Sequence, residues 1–517
     1  MKKLFVLFLV SGFSITILFG QSRSDAADVQ WGNEIKAAKK STLSNLIGSD
    51  KDGIYALFSA SPHYYIAKYD LNLNQILVSP IEFDKIDKTE KGAEFEYITM
   101  FYDQIFLFYS IDDKKAKVNT LYVRSVDKSS LAINNDKQKV CEITFEKKRN
   151  DGSFNFLFSE DHTKMMMYYN LPYQKGEPEQ FGYQVYNKGM ELLWEKRITL
   201  PYKDELFHIE KNRVDNNGNA YLLGTLYKEK AISKRKGKPN YEYHILSYTN
   251  KGERENEYTV SLKDKFITDM QIGVTKTGDI ICGGFYSSKG TYSIKGTFYL
   301  KVDANSKEIK NENYKEFEKD FLEQFMSEKK ADKGNELYEY DLDKIVLRED
   351  GGAVLIAEQY FVQIVTTYST VNGVTTSYTT YYYYYNDIIV ININSDGSIA
   401  WAKKIPKKQV STNDGGFYSS YAVSITKDKL YFIFNDNPKN LNNTTDKLNN
   451  YRPGNKESLT VLVSVDGNGE IEKEALFNVT EAETIIRPKV CEQTNPNEMI
   501  IYGQKGKMQR LAKITFK

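Results

Sequence analysis

Short apolar runs recur along the whole chain and form its most visible pattern. Eight of them follow one another at spacings of about 50 to 75 residues, which indicates an internal repeat. Within each run the apolar residues are continuous rather than alternating, so we expect strands that are buried on both faces. The runs are Gly53–Phe58, Gln104–Tyr109, Lys164–Tyr169, Ala220–Gly224, Asp279–Gly283, Ala353–Ala357, Leu430–Phe434 and Glu498–Tyr502.

Polar turns rich in Gly, Asn and Asp flank these runs. Asp215–Gly218 and Glu349–Gly352 precede two of them, whereas Tyr186–Gly189 and Asp466–Gly469 separate later strands of a unit. Such residues supply the positive φ that hairpins of two to four residues require. Each unit is therefore predicted to contain four antiparallel strands, with the apolar run second.

The two ends of the chain complement each other. The last unit supplies a third strand at Met508–Phe516 but no fourth. Near the N-terminus, Trp31–Lys36 resembles the predicted fourth strands Trp194–Thr199 and Trp401–Pro406. We therefore expect residues 29–38 to complete the last unit and to close a ring.

The repeat resembles β-propellers across nearly all of residues 29–517, and that resemblance implies an all-β fold of eight four-stranded blades. It lacks the Gly-His and Trp-Asp pairs of WD40 repeats and the sialidase Asp-box, and it has no kelch double glycine that recurs from unit to unit. In its short leader ending in Gly-Gln and its Asn, Lys and Tyr usage it is similar to exported propeller proteins of Bacteroidota. These include substrates and accessory subunits of the type 9 secretion system. Because the C-terminus is predicted to be a blade strand, no separate sorting domain is expected, which favours the periplasm over the cell surface.

The long insertions all fall between second and third strands or between units, and in a propeller those connections emerge on one face. Excess loop length on a rigid scaffold commonly carries binding. Within residues 310–340, Asn313–Glu316 matches a capping box, and Tyr314, Phe317, Phe321 and Phe325 follow at helical spacing. We expect one amphipathic helix of about 17 residues there, packed on the propeller by its aromatic stripe.

Residues 359–387 are predicted to form a projecting hairpin, because Asn372-Gly373 is a strong hairpin signal. Pairing outward from this turn sets Val371 opposite Val374, Thr366 opposite Thr379, Ile364 opposite Tyr381, Tyr360 opposite Tyr385 and Ile356 opposite Ile389. Amphipathic tyrosines suit interfaces. The predicted partner-binding residues are Tyr368, Val371, Val374, Tyr378, Tyr381 and Tyr382.

The N-terminus matches a secretory leader. Lys2 and Lys3 precede an apolar stretch that continues to Gly20, so residues 1–20 are interpreted as a signal peptide and residues 21–517 as a single mature domain. No other segment is long enough to cross a bilayer as a helix. The whole chain has 70 basic and 69 acidic residues, which gives no support for binding nucleic acid or an anionic membrane.

No catalytic motif stands out from the sequence. Cys141, Cys282 and Cys491 are distant from one another in apolar contexts, and the four histidines show no metal-ligand spacing. We therefore expect no cofactor and no metal, and favour a non-enzymatic function. The primary hypothesis is a periplasmic or secreted scaffold that binds a protein through the long-loop face. The alternatives are an accessory or plug subunit of an outer-membrane, type 9-like translocon, and a glycan-binding or glycan-active propeller, which would need paired carboxylates near its axis.

Overall fold

A computed structural model describes residues 24–37, 41–86, 90, 92–147, 150–304, 306, 308–372, 374–443 and 447–517. The predicted signal peptide lies outside these residues. In the first half of the chain the strands are β1 (Ala27–Trp31), β2 (Ile35–Lys36), β3 (Thr42–Asp50), β4 (Gly53–Ala60), β5 (His63–Tyr69), β6 (Gln75–Pro80), β7 (Glu94–Phe101), β8 (Gln104–Asp113), β9 (Val118–Val126), β10 (Ile133–Thr144), β11 (Ser153–Phe158), β12 (Lys164–Asn170), β13 (Pro178–Asn187), β14 (Leu192–Lys203), β15 (Phe207–Val214), β16 (Ala220–Tyr227), β17 (Lys234–Arg235), β18 (Lys238–Pro239), β19 (Tyr241–Thr249) and β20 (Arg254–Val260).

In the second half they are β21 (Phe266–Val274), β22 (Ile280–Ser287), β23 (Ser293–Ile294), β24 (Gly296–Val302), β25 (Ile309–Glu316), β26 (Leu337–Tyr338), β27 (Tyr340–Leu347), β28 (Ala353–Val371), β29 (Val374–Ile393), β30 (Ile399–Ile405), β31 (Gln409–Thr412), β32 (Ala422–Ile425), β33 (Lys429–Asp436), β34 (Leu459–Asp466), β35 (Ile471–Asn478), β36 (Glu492–Asn495), β37 (Glu498–Lys505) and β38 (Met508–Phe516). The helices are short: α1 (Phe83–Ile86), α2 (Lys319–Glu323), α3 (Glu328–Asp332) and α4 (Val479–Ala482), with 3₁₀ turns at Pro438–Asn440 and Pro488–Val490. No helix of the described residues is both long and apolar enough to cross a membrane.

The strands form a series of antiparallel four-stranded sheets, which we number 1 to 8 in chain order. In sheets 1 to 7 the four strands are neighbours in chain order, whereas the fourth strand of sheet 8 is β1 from the N-terminal end. Sheets 6 and 8 each carry one additional short strand, β31 and β2. They are sheet 1 (β3 to β6), sheet 2 (β7 to β10), sheet 3 (β11 to β14), sheet 4 (β15, β16, β19, β20), sheet 5 (β21, β22, β24, β25), sheet 6 (β27 to β30), sheet 7 (β32 to β35) and sheet 8 (β36, β37, β38, β1). All eight apolar runs of the sequence lie in second strands, as predicted.

The core consists of apolar clusters between consecutive sheets. Neighbouring residues of one second strand belong to different clusters: Leu222 packs with sheet 3, whereas Leu223 packs with sheet 5. Because side chains of a strand alternate between its two faces, a sheet covered on both faces needs a continuous apolar run. Similar clusters join every consecutive pair of sheets, and a further one brings Ile500 and Tyr502 of sheet 8 against Phe58 of sheet 1. Four-stranded sheets packed face to face in sequence make this a β-propeller repeat protein.

Two N-terminal strands join the C-terminal sheet. β1 pairs with β38 from Ala27 opposite Phe516 to Trp31 opposite Ala512, and β2 pairs with the start of β38. Trp194 and Trp401 also lie in fourth strands, and each donates its indole N–H to a backbone carbonyl of the next sheet, Gly218 at 2.8 Å and Gly467 at 3.0 Å. The fourth-strand tryptophans thus tie two pairs of neighbouring sheets together.

The single long helix predicted within residues 310–340 is wrong. Asn313–Glu316, interpreted as a capping box, belongs to β25, the fourth strand of sheet 5, and pairs with β24. Completing that sheet satisfies more backbone hydrogen bonds than a helix start would, so tertiary pairing overrides the local signal. The aromatic spacing does have a counterpart, because Phe321 is buried in the short helix α2 and Phe317 packs beside it.

Candidate partner-binding surface

Strands β28 and β29 form a hairpin whose outer part extends beyond sheet 6. The predicted pairs Val371–Val374, Thr366–Thr379, Ile364–Tyr381 and Tyr360–Tyr385 are confirmed. The predicted pair Ile356–Ile389 is wrong, because Ile356 lies opposite Val390. A β-bulge at this point sets Asn386 and Asp387 of β29 against the single residue Gln359 of β28, and this extra residue of β29 shifts the register below it.

The hairpin tip, defined here as residues 362–382, is exposed. Tyr368 keeps 74% of its surface, Val371 64%, Val374 65% and Tyr378 65%, and Tyr381 is also exposed. Tyr382 is only half-buried. Since side chains alternate along a strand, these residues divide between two faces. Tyr368 and Tyr381 lie on one face, and Val371, Val374, Tyr378 and Tyr382 on the other.

No charged residue occurs from Gln359 to Asn386, although charged residues make up 27% of the chain. The tip is instead rich in Thr, Val and Tyr. Hydroxyl pairs cross the hairpin at Thr366–Thr379 (3.1 Å) and Thr370–Thr375 (3.0 Å). The tip therefore offers a neutral surface of hydroxyl groups and exposed apolar side chains.

The base of the hairpin is braced by the connection from sheet 6 to sheet 7. Strand β31 pairs with β29 from Tyr382 to Tyr385. Asn413 then closes this edge, because its side chain accepts the backbone N–H of Tyr381 and its own N–H donates to the Tyr381 carbonyl, both at 2.9 Å. Lys489 donates to the Tyr385 hydroxyl at 2.5 Å and lies over its ring. The blade-proximal tyrosines are thus structural, whereas the described residues of the tip before Tyr381 carry none of these contacts.

A buried ion pair lies under the hairpin base. Lys407 Nζ lies 2.6 Å from Glu358 Oε1, and their side chains are 0% and 5% exposed. Lys407 and Glu358 Oε1 form an ion pair but no hydrogen bond, because Lys407 donates its hydrogen bonds to the Tyr385 carbonyl (2.9 Å) and to the Gln409 side chain (3.3 Å). Ser420 donates to the other Glu358 oxygen at 2.7 Å. Removing either charge would leave the other buried without its direct ion-pair partner.

Glu358 occupies a position that holds a hydroxyl in other sheets. The first strands of sheets 1, 2 and 4 carry a bulged polar residue that bonds to a hydroxyl of the second strand: Ser44 to Ser59, Glu96 to Ser110 and Glu210 to Thr225. In sheet 6 the bulged residue is Asp343 and the second-strand position is Glu358. Two carboxylates replace the usual pair, so Asp343 instead accepts the Tyr421 hydroxyl of sheet 7 at 2.6 Å.

Neighbouring first strands carry further carboxylates. Asp269 of β21 accepts the backbone N–H of Leu342 in β27 at 2.8 Å, which links sheets 5 and 6. Burial raises the pKa of Asp269 to about 6. Asp343 is reached by water but closely surrounded by protein, and this loss of hydration raises its pKa to about 7. Sequence reasoning could not select these residues among 69 acids, because only the bulge and the sheet packing bring them together.

A cavity of about 1010 Å³ opens between sheets 3 and 4 on the long-loop face. Tyr173 contributes an exposed aromatic ring to its lining, Tyr168 and Phe207 are buried behind it, and Glu179 and Asp204 contribute carboxyl groups. Loss of hydration, followed by the neighbouring Asp204 carboxylate, raises the pKa of Glu179 to about 8. Glu179 therefore holds a proton near neutral pH. The sequence had given no means of choosing this pair.

The remaining reactive side chains serve the fold. Burial raises the pKa of Cys141 and Cys491 to about 12, so both are poor nucleophiles. Buried His244 lies 2.6 Å from Glu257. Across the described part of the chain, no group of three or more His, Cys, Asp or Glu side chains is arranged to hold a metal ion.

Neither a family model nor a curated protein matches the chain. Among solved structures, it is similar to the WD40 domain of SCAP from fission yeast, with 8% identity and a TM-score of 0.40 over 94% of this chain and 98% of that one. It is similar to the β-propeller domain of the Trilobed protease from Pyrococcus furiosus, with 11% identity and a TM-score of 0.31 over 85% and 98%. It is also similar to prolyl oligopeptidase B from Galerina marginata, with 9% identity and a TM-score of 0.33 over 76% of this chain and 55% of that one. This chain therefore spans about half of the length of that enzyme. Such low scores carry no functional conclusion, and the fold assignment rests on the strand pairings.

Proposed function

We propose that this protein is an exported, non-enzymatic interaction scaffold that binds a protein partner through the long-loop face of a closed, eight-bladed propeller. Support for the ring comes from the eight four-stranded sheets and from the cluster that packs sheet 8 against sheet 1. The pairing of β1 with β38 joins the two chain ends in one sheet. A closed ring leaves no sheet face without a neighbour and makes a rigid platform for loops.

The observation that carries the proposal is the one-sided placement of long connections. Residues 437–458 and the hairpin join second to third strands, and residues 317–339 and 406–421 join consecutive sheets. Up-and-down strand order sends all of these to one side of the sheets. Turns on the opposite side, such as 215–219 and 466–470, are tight and are closed by Asp side chains. The exposed, uncharged tip of the hairpin is the part of this face least explained by folding.

The test is a hairpin deletion that leaves the fold intact. Replacing residues 364–381 by Asn-Gly joins Gln363 to Tyr382, which already lie opposite each other, through a two-residue turn. We expect an unchanged melting temperature and loss of the partner that co-purifies with the full chain from native cell envelopes. Lengthening the opposite-face turn at Asn468 is the matched control and should retain the partner. A deletion variant that keeps every partner would contradict the proposal.

Binding of a glycan is the second candidate, and the cavity between sheets 3 and 4 is the observation that favours it. The exposed ring of Tyr173 and the neighbouring carboxyl groups of Glu179 and Asp204 lie together in it, and the raised pKa of Glu179 suits a proton donor. Glycan-array binding and turnover of common glycoside substrates test it, with Glu179→Gln as the matched variant. Absence of both binding and turnover in the unmodified protein would rule it out.

A further inference from the structure

The backbone of the hairpin tip has a defined set of groups that point away from the hairpin. Val371 and Val374 flank a two-residue turn, so this pair exchanges both of its hydrogen bonds, and bonded and non-bonded pairs alternate from there. On β28, the residues whose N–H and C=O point outward are Val362, Ile364, Thr366, Tyr368 and Thr370. On β29 they are Thr375, Ser377 and Thr379.

Contacts at the base fix this assignment independently. Tyr360 lies two residues before Val362, so its backbone groups should also point outward, and its N–H does donate to the Glu339 carbonyl on that side at 2.9 Å. Tyr381 lies two residues after Thr379, and its backbone N–H donates outward to the Asn413 side chain. No described strand pairs with β28 between Phe361 and Val371 on that side. Ten backbone hydrogen-bonding groups therefore lie along one uninterrupted edge.

This edge lacks every feature that normally prevents strands from pairing with other chains. Native edges carry charges, prolines or bulges. The tip has no charged residue and no proline, and its register is continuous from Tyr360 to Val371. Elsewhere the protein does protect its edges: fourth strand β10 carries Asp136, Lys137, Lys139 and Glu142. The hairpin edge differs from β10 in lacking any such charge.

We infer that the partner of this edge is a second copy of the chain, paired antiparallel through β28 about a two-fold axis at Thr366. The inference rests on the proposed function, since it names the partner of the same surface. Thr366 is the middle one of the five outward residues, so two-fold pairing sets it opposite the partner's Thr366. All ten outward backbone groups of each strand are then hydrogen-bonded. Ile364, which is 60% exposed, then lies against the partner's Tyr368. Aromatic and β-branched residues make favourable cross-strand pairs.

Neutrality is what favours a second copy over an unrelated protein. In a two-fold strand pair each residue faces a residue of the same short strand, and like charges placed opposite each other are destabilising. An edge for an unrelated partner has no such restriction and commonly uses charges for specificity. The edge of β28 is preferred over that of β29, where Asn413 leaves only three outward residues. A single strand pair is small compared with stable interfaces of about 1,200–2,000 Å², so the dimer should dissociate on dilution.

Sedimentation velocity on the full chain, from micromolar to hundreds of micromolar, tests the association. We expect a concentration-dependent dimer for the unmodified protein and a monomer for Thr366→Lys at every concentration. Thr376→Lys is the matched control, because it adds the same charge to β29, whose Thr376 bonds inward to Ser369. Both sites are exposed, so melting temperatures should not change. An unmodified protein that stays monomeric, or assembles beyond a dimer, overturns the inference.

Cysteine cross-linking tests the register. Thr366→Cys should form a disulfide between copies, because bonded antiparallel pairs place Cα atoms about 5.5 Å apart, within disulfide range. Ser377→Cys, at the centre of the outward set of β29, should not. The reverse result would assign the dimer to the other edge and overturn the inference. If the unmodified protein is a monomer and the hairpin deletion still removes another partner, the dimer alone is contradicted. If the unmodified protein is a dimer and its other partners stay bound after the hairpin deletion, the proposed function alone is contradicted.

Discussion

The base and the tip of the hairpin share the same two strands but are held in place differently. At the base, Ile389 and Ile391 are fully buried between sheets, and the ion pair of Glu358 with Lys407 lies beside them. At the tip, Ile364 and Tyr368 are mostly exposed, and cross-strand bonds alone maintain the pairing. Strand pairing is therefore sufficient to continue a hairpin beyond the core. Side-chain packing determines at which residues a substitution lowers the free energy of unfolding.

The largest effect is expected at the buried ion pair. Lys407→Met should lower the free energy of unfolding by about 3–5 kcal/mol, because it leaves the Glu358 carboxylate buried without its direct ion-pair partner. Urea denaturation measures this. The double variant Glu358→Gln/Lys407→Met should recover most of the loss, and a double variant as unstable as Lys407→Met would show that packing, rather than charge, holds the base.

Truncation of matched isoleucines compares the two regions directly. Ile391→Ala should cost about 2–5 kcal/mol, since it leaves a cavity between sheets 5 and 6. Ile364→Ala should change the free energy of unfolding by less than about 0.5 kcal/mol, because its side chain already contacts water. Equal losses at the two sites would remove the distinction between base and tip.

Two adjacent glycines test how tightly the connection to sheet 7 packs on the base. Gly415 and Gly416 both have positive φ, 66° and 70°, so alanine is strained at either position. A Cβ at Gly416 would lie 2.3 Å from the Tyr385 ring, whereas one at Gly415 would meet nothing within 4 Å. Gly416→Ala should therefore be less stable than Gly415→Ala by about 1–3 kcal/mol in thermal or urea unfolding. Equal stabilities would mean that Tyr385 is not fixed by this loop.

The smallest effect is expected from pH at the carboxylates next to the base, because Asp343 is exposed and water screens its interactions. The pKa of Asp343 is raised to about 7, with Glu358, Asp341 and Asp269 adding to the effect of lost hydration and the Tyr421 hydroxyl opposing it. The unfolded chain ionises this group near pH 4, so the free energy of unfolding should fall as pH rises from about 4 to about 7. Asp343→Asn should reduce this fall while leaving stability near pH 4 almost unchanged. A variant with the same pH dependence as the unmodified protein would exclude Asp343 as its source.

Much of the fold followed from local pattern. The second strands were predictable because a strand covered on both faces needs apolar residues at every position, as Leu222 and Leu223 illustrate. The hairpin register was predictable outward from Asn372, because a two-residue turn fixes which residues lie opposite each other. The exposed residues of the tip were named for the same reason, and their role in partner binding remains a prediction.

Only the tertiary structure decided the features that depend on contacts between distant segments. The bulge at Asn386 and Asp387 of β29 shifted the partner of Ile356 from Ile389 to Val390, and the pairing of β25 with β24 turned a predicted helix start into a strand. The pairing of Glu358 with Lys407 and the approach of Asp269 to β27 likewise required neighbouring sheets to be in place. The sequence by itself determined which residues must be buried and where the chain must turn, because these depend on periodicity and backbone conformation. Which charges meet, and which strand edge stays open, depended on packing between units that are far apart along the chain.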